Sequence, residues 1–128
     1  MSELALQLIA ENLETKNPYL DLGNCGLTDD NFPEEIVQLA DHLEVLILAS
    51  EWYKYDAKKG IWIEKKSQTL GGGNRLNKIP EAVKSLYHLQ SLDLNFSQIT
   101  DITPLQGLAN LQSLYIKITQ KNDITPLQ

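Results

Sequence analysis

A single cysteine, Cys25, is all the thiol chemistry in the 128 residues. An intramolecular disulfide is excluded, and a reducing compartment suits such a chain. No apolar run approaches the roughly 18 residues of a membrane span. Basic residues are also in short supply, eleven Lys and Arg against seventeen Asp and Glu, for a net charge of −6. That balance argues against nucleic acid or an anionic membrane as partner. The opening MSELALQLIAENLE carries acids and no basic stretch, so we expect no secretory leader and a cytoplasmic location. No Cys/His spacing suits a metal, and no nucleophile–base pair can be proposed. Gly71-Gly72-Gly73 is not followed by Gly-Lys-Ser/Thr, so it is no phosphate-binding loop. Asn95-Phe96-Ser97 matches a glycosylation sequon, which is irrelevant without a leader. The expectation is a protein without enzyme activity, cofactor or metal.

What is abundant is leucine, and its spacing is regular. The template L-x-x-L-x-L occurs as Leu43–Leu48, Leu89–Leu94 and Leu111–Ile116, with a weaker copy at Tyr19–Leu22. The second leucine falls at 20, 46, 92 and 114, in steps of 26, 46 and 22 residues. The middle step is two repeats, or one repeat carrying an insertion. The downstream halves match as well: Leu76, Ile79, Val83 and Leu86 lead into one strand, and Ile99, Ile102, Leu105 and Leu108 into the next. QITDITPLQ at 98–106 returns as QKNDITPLQ at 120–128. A period in the low twenties with this template is the leucine-rich-repeat signature. Alternating leucines on a short strand point inward while the residues between them face solvent. No repeat buries its leucines alone, so neighbours must stack. At 42% hydrophobic and 22% charged, the chain can bury such a core as one domain.

ITDITPLQGLANLQSL (99–114) resembles the internalin-type repeat of bacterial proteins, and NRLNKIPEAVKSLYHLQSL (74–92) resembles the repeat found beside Roco GTPase and other signalling NTPase domains. The resemblance runs from Tyr19 to Gln128 apart from the insertion. It implies an α/β chain, a right-handed leucine-rich-repeat solenoid with a short parallel sheet, of about four repeats over 17–128 with the last incomplete. Five residues after each first strand leucine the family places Asn, and here Cys25, Asn74, Ser97 and Thr119 occupy that slot. All four can hydrogen-bond local backbone, so Cys25 reads as a buried structural thiol. His42, His88 and Asn110 share the slot before a strand-opening leucine, which marks a turn and not a catalytic pair. Glu34-Glu35 and Asp29-Asp30 read as a solvated face.

Residues 1–16 read as an N-terminal capping helix. Ser2 is placed as N-cap, and Leu4, Leu8 and Ile9 share a face with Asn12 and Leu13. Asn17-Pro18 ends it. The last repeat stops at Leu127-Gln128 with no polar cap, although solenoids need one. A longer native protein, or self-association through the C-terminal edge at Leu114, Ile116, Ile124 and Leu127, is therefore expected.

The insertion is 51–73, EWYKYDAKKGIWIEKKSQTLGGG. Trp52–Tyr55 and Ile61–Glu64 can pair as strands around the loop Asp56–Gly60. It holds four of the nine aromatics, and five lysines against three acids make it +2, leaving −8 elsewhere. Three readings stay open: aromatics packed on their own repeat, a binding arm, or a flap over the concave face. As an arm its contacts are Trp52, Tyr53, Tyr55 and Trp62. The concave face should present Tyr19, Asp21, Asn24, Val45, Ile47, Ser50, Ser91, Asp93, Asn95, Ser113, Tyr115 and Lys117. We expect a noncatalytic protein-interaction module with a protein as partner, the N-terminal recognition part of a larger protein. The alternative is a regulatory segment of a Roco-like or other signalling NTPase.

Overall fold

The computed structural model describes residues 3–67, 69, 71–94 and 99–115, and the backbone alone at Trp52, Tyr53, Lys54, Ser113 and Tyr115. Four three-residue strands, β1 (Tyr19–Asp21), β2 (Val45–Ile47), β5 (Ser91–Asp93) and β6 (Ser113–Tyr115), form one parallel sheet in the order β1-β2-β5-β6. Their register places Leu20, Leu46, Leu92 and Leu114 in one row. Those are the second leucines of the sequence template, so the repeat phase sets the strand register. Leu20, Leu22, Leu46, Leu48, Leu92 and Leu94 are buried, and Leu114 is partly buried against the same core. Burying each leucine contributes about 1.5–3 kcal/mol before the ordering entropy is subtracted.

The returning half of each repeat forms a 3-10 segment: η1 (Glu34–Leu39), η2 (Glu81–Ser85) and η3 (Thr103–Leu105). A proline lies at or next to the start of each one. Pro33 and Pro80 precede the first two at φ −73° and −63°, and Pro104 lies within the third. The ring presets the φ that a tight turn needs and removes an N–H with no partner there. Ile36, Leu39, Val83 and Leu105 in these segments, and Leu86 and Leu108 just after the last two, are buried in the core. η1 packs on η2 and η2 on η3, a second layer stacked in step with the sheet.

The helix α1 (Glu3–Thr15) packs against η1 and β1 and adds Ala5 and Ile9 to the core. Its expected N-cap, Ser2, lies outside the described residues. Lys16 closes the helix at φ +59°, its N–H bonded to the Asn12 carbonyl at 2.8 Å. This is a left-handed helix end of the kind usually given to glycine. The remaining strands, β3 (Glu51–Asp56) and β4 (Ile61–Lys66), pair antiparallel as a separate two-stranded sheet. They run longer than the sequence suggests, to Asp56 and Lys66. β2 and β5 are neighbours in the main sheet, so the hairpin is inserted without breaking the sheet.

Candidate interaction surfaces

Asn74 explains how the insertion is accommodated. Its side-chain nitrogen donates to the carbonyls of Leu22 (2.8 Å) and Leu48 (2.9 Å). Its oxygen accepts the backbone N–H groups of Leu27 (2.9 Å) and Cys25 (3.3 Å). One side chain thus ties the ends of two adjacent strands, as its repeat slot requires, although the insertion separates it from its own strand. Nearby, Ser67 N–H donates to the Ser50 carbonyl at 2.9 Å. The hairpin therefore leaves and rejoins the repeat at nearly the same point.

The segment after β4 crosses the end of β1. Ser67 Oγ donates to Asp21 Oδ1 at 2.7 Å. Asn24 donates its backbone N–H to Thr69 Oγ1 at 2.8 Å and its side-chain amide to the Thr69 carbonyl at 3.3 Å. Gly26 N–H donates to the Gly72 carbonyl at 2.7 Å. The approach is close enough to demand glycine on both sides. A Cβ at Gly71 would stand 2.5 Å from the Asn24 carbonyl oxygen, and one at Gly23 2.2 Å from that of Ala49. Gly71 thus serves a close backbone contact; its φ is not in the left-handed region. The leucine pattern carries no signal for Gly23, because it is crowded from two sides, by the Ala49 carbonyl of the neighbouring repeat and by the Ser67 side chain of the return limb.

The concave face is less open than strand alternation implies. Tyr19 and Ser50 are exposed, and Val45 and Ser91 are half-buried. Asp21 and Asn24 are engaged by the return limb. Ile47 and Asp93, expected on the open face, are instead buried, at 2% and 1% exposure. Both lie in the register row of Asp21, over which Ser67 stands. Asn95 and Lys117, and the side chains of Ser113 and Tyr115, lie outside what the structure describes, as do Ile116, Ile124 and Leu127 of the C-terminal edge. Burial and the carboxylates of Asp21 and Asp93 push the Tyr19 phenol up to about 12. Burial, with Asp21 adding to it, takes the Cys25 thiol to about 11, while a hydrogen bond with Thr69 works the other way. Such a thiol stays protonated and inert.

On the hairpin, Asp56 caps the loop. Its carboxylate accepts the N–H groups of Lys58 (2.9 Å) and Lys59 (3.2 Å), and its carbonyl accepts that of Gly60 (2.7 Å), where φ is +69°. Tyr55 and Trp62 are opposite one another in the register, and their rings meet edge to face at 5.3 Å. They are 50% and 55% exposed, and Ile61 beside them is 51% exposed. Among the described elements, β3 and β4 pack extensively only on each other. Tyr55, Lys58, Ile63 and Lys65 help to line an open hollow of about 410 Å³ near the loop. The backbone at Trp52 and Tyr53 stands opposite Lys65 and Glu64.

The turn before each strand holds residues that pattern reading undervalued. His42 Nε2 meets Asn12 Oδ1 at 2.6 Å, while the Asn12 amide donates to the carbonyls of Asn17 (3.0 Å) and Tyr19 (3.2 Å). An amide oxygen only accepts, so Nε2 carries the proton. Nδ1 is buried without a hydrogen-bond partner among the described residues. In the equivalent slot, Asn110 donates to the Tyr87 carbonyl at 3.1 Å. The Tyr87 hydroxyl in turn donates to Asp41. These positions link a unit to the one before it. Among the described residues, no three His, Cys, Asp or Glu gather where a metal could be held, and no helix is long and apolar enough to cross a membrane.

The family model described as Leucine Rich repeats (2 copies) matches residues 88–128. Residues 88–128 therefore match leucine-rich repeats, a type that generally mediates protein–protein interaction. No curated protein matches, and no solved structure does.

Proposed function

We propose that this leucine-rich-repeat chain is a noncatalytic protein-interaction module, its repeats wound as a right-handed solenoid and its hairpin serving as the principal contact arm. The observation that carries the reading is the exposed Tyr55–Trp62 pair with Ile61 beside it, on strands that, among the described elements, pack extensively only on each other. Large aromatic side chains contribute most of the binding energy in many interfaces, and leaving three apolar groups in water has a cost that a partner would relieve. The concave face is the weaker candidate. Four strands about 4.8 Å apart span only roughly 15 Å, against about 800 Å² per partner in a standard interface. The return limb and the burial of Ile47 and Asp93 narrow it further. Tyr19, Val45, Ser50 and Ser91 remain as its accessible contacts.

The experiment is affinity capture from cell extract on the immobilised full chain, with mass spectrometry and circular dichroism. Three baits are compared: the unaltered chain, Tyr55→Ala/Trp62→Ala, and Val45→Glu/Ser91→Glu. A protein other than this chain, retained by the first bait and lost from the second while the fold is kept, is the expected result. If the same proteins remain on all three baits, neither surface is a specific binding site and the reading fails.

A further inference from the structure

The insertion holds five lysines and three acids, whereas the rest of the chain is −8. A basic, aromatic arm thus projects from an acidic body. On that body, α1 and the chain entering η1 enclose a groove of about 420 Å³. Leu6, Phe32 and Pro33 provide its apolar lining, and Asp30, Glu34 and Glu35, all exposed, provide carboxylates. The hairpin offers the converse set, with exposed Tyr55, Ile61 and Trp62 next to exposed Lys58, Lys59 and Lys65.

We propose that the hairpin of one copy docks in this groove on a second copy, with Trp62 and Tyr55 against Leu6, Phe32 and Pro33 and the loop lysines facing Asp30, Glu34 and Glu35. This rests on the reading of the hairpin as a binding arm and adds a second copy of the chain to what that arm binds. Six residues of strand reach about 20 Å, and the arm's own sheet is a bare two-stranded hairpin, which is marginal in water without further packing. Docking supplies that packing. A single hairpin in a groove buries less than a standard interface, but a two-fold pair makes the contact twice. Opposite charges at the rim make the association salt-sensitive and fix its register.

Sedimentation of the full chain over a concentration series, at low and high ionic strength, tests the contact. Association that weakens with salt, and a dissociation constant raised about tenfold or more by Trp62→Ala, are expected. Two charge-reversed variants then assign the surfaces: Lys58→Glu/Lys65→Glu in the arm and Glu34→Lys/Glu35→Lys at the groove. Each alone pairs like charges and should be monomeric, whereas their mixture restores opposite charges at both contacts and should associate. Reversing Glu11 and Glu14, away from the groove lining, gives the same added charge as a control and should leave association in place. All substituted positions other than Trp62 are exposed charges, and circular dichroism checks that each variant folds. A monomer at every concentration overturns the proposal, as does association that neither reversal disturbs. Such a result leaves the broader reading of the arm standing or falling on capture of a different protein.

Discussion

Asn74 carries more of the fold than any other single polar residue described here. It satisfies two carbonyls and two N–H groups drawn from both flanking repeats. Removing a side chain that serves buried backbone strands those groups, at about 1–3 kcal/mol for a lost partner. Asn74→Ala is expected to lower stability by about 2–4 kcal/mol on that basis, read from urea unfolding. Asn74→Asp keeps the acceptor for Cys25 and Leu27 but places a carboxylate against the Leu22 and Leu48 carbonyls, so it should fare no better. A loss below about 0.5 kcal/mol, the range of ordinary surface changes, would show that water replaces the side chain and that the joint is not what holds the two repeats. Its slot in the repeat was legible in the sequence. That it bridges across the insertion to Leu22 and Leu48 was not, since it depends on where the hairpin returns.

The hairpin divides into two parts with different work. Strands β3 and β4 pack on each other, while the limb from Ser67 to Gly72 bonds Asp21, Asn24 and Gly26. Ser50 and Ser67 are already joined by a hydrogen bond of 2.9 Å. Replacing 51–66 by a two-residue Asn-Gly turn should therefore leave cooperative melting and the circular-dichroism signal of the repeats nearly unchanged. Replacing 51–73 takes the limb as well and should lower the melting temperature, because the Asn24 and Gly26 N–H groups lose their partners. Equal melting temperatures for the two deletions would mean that the limb only drapes over β1. The strand pairing was readable from aromatic runs around a glycine-ended loop. The limb's route was not, as Ser67 and Thr69 have no periodic pattern to mark them.

At the scale of the molecule, α1 is held to the repeats through Ala5 and Ile9 and through the Asn12–His42 contact. Burial, and then Lys16, keep the His42 imidazole below its ordinary 6.5, with Asp41 opposing them. A lowered imidazole value means that the unfolded chain takes up the proton more readily than the folded one. His42 thus contributes stability that is present above pH 6.5 and lost as the pH falls through its folded value. The unaltered chain should lose melting temperature between pH 7 and pH 5 more steeply than His42→Gln, which cannot titrate. Parallel curves for the two would sink this account of helix docking. All other side chains are common to the two proteins, so the difference between the curves isolates position 42.

The leucine period determined the parallel sheet, its register and the core, because a residue's place in a short repeated strand decides on its own whether it points inward. The apolar residues of the downstream halves, Leu76 to Leu86 and Ile99 to Leu108, likewise placed those halves on the core, although not as 3-10 turns. What only the tertiary structure decided are relations between chain segments far apart in sequence. Ser67 over Asp21, Gly71 against the Asn24 carbonyl and His42 on Asn12 join parts with no common period, so local pattern is blind to them. The same holds for the concave face. Alternation along a strand assigns Ile47 and Asp93 to its open side, but burial is a property of everything that packs above a residue, and that lies outside what a strand's own pattern encodes.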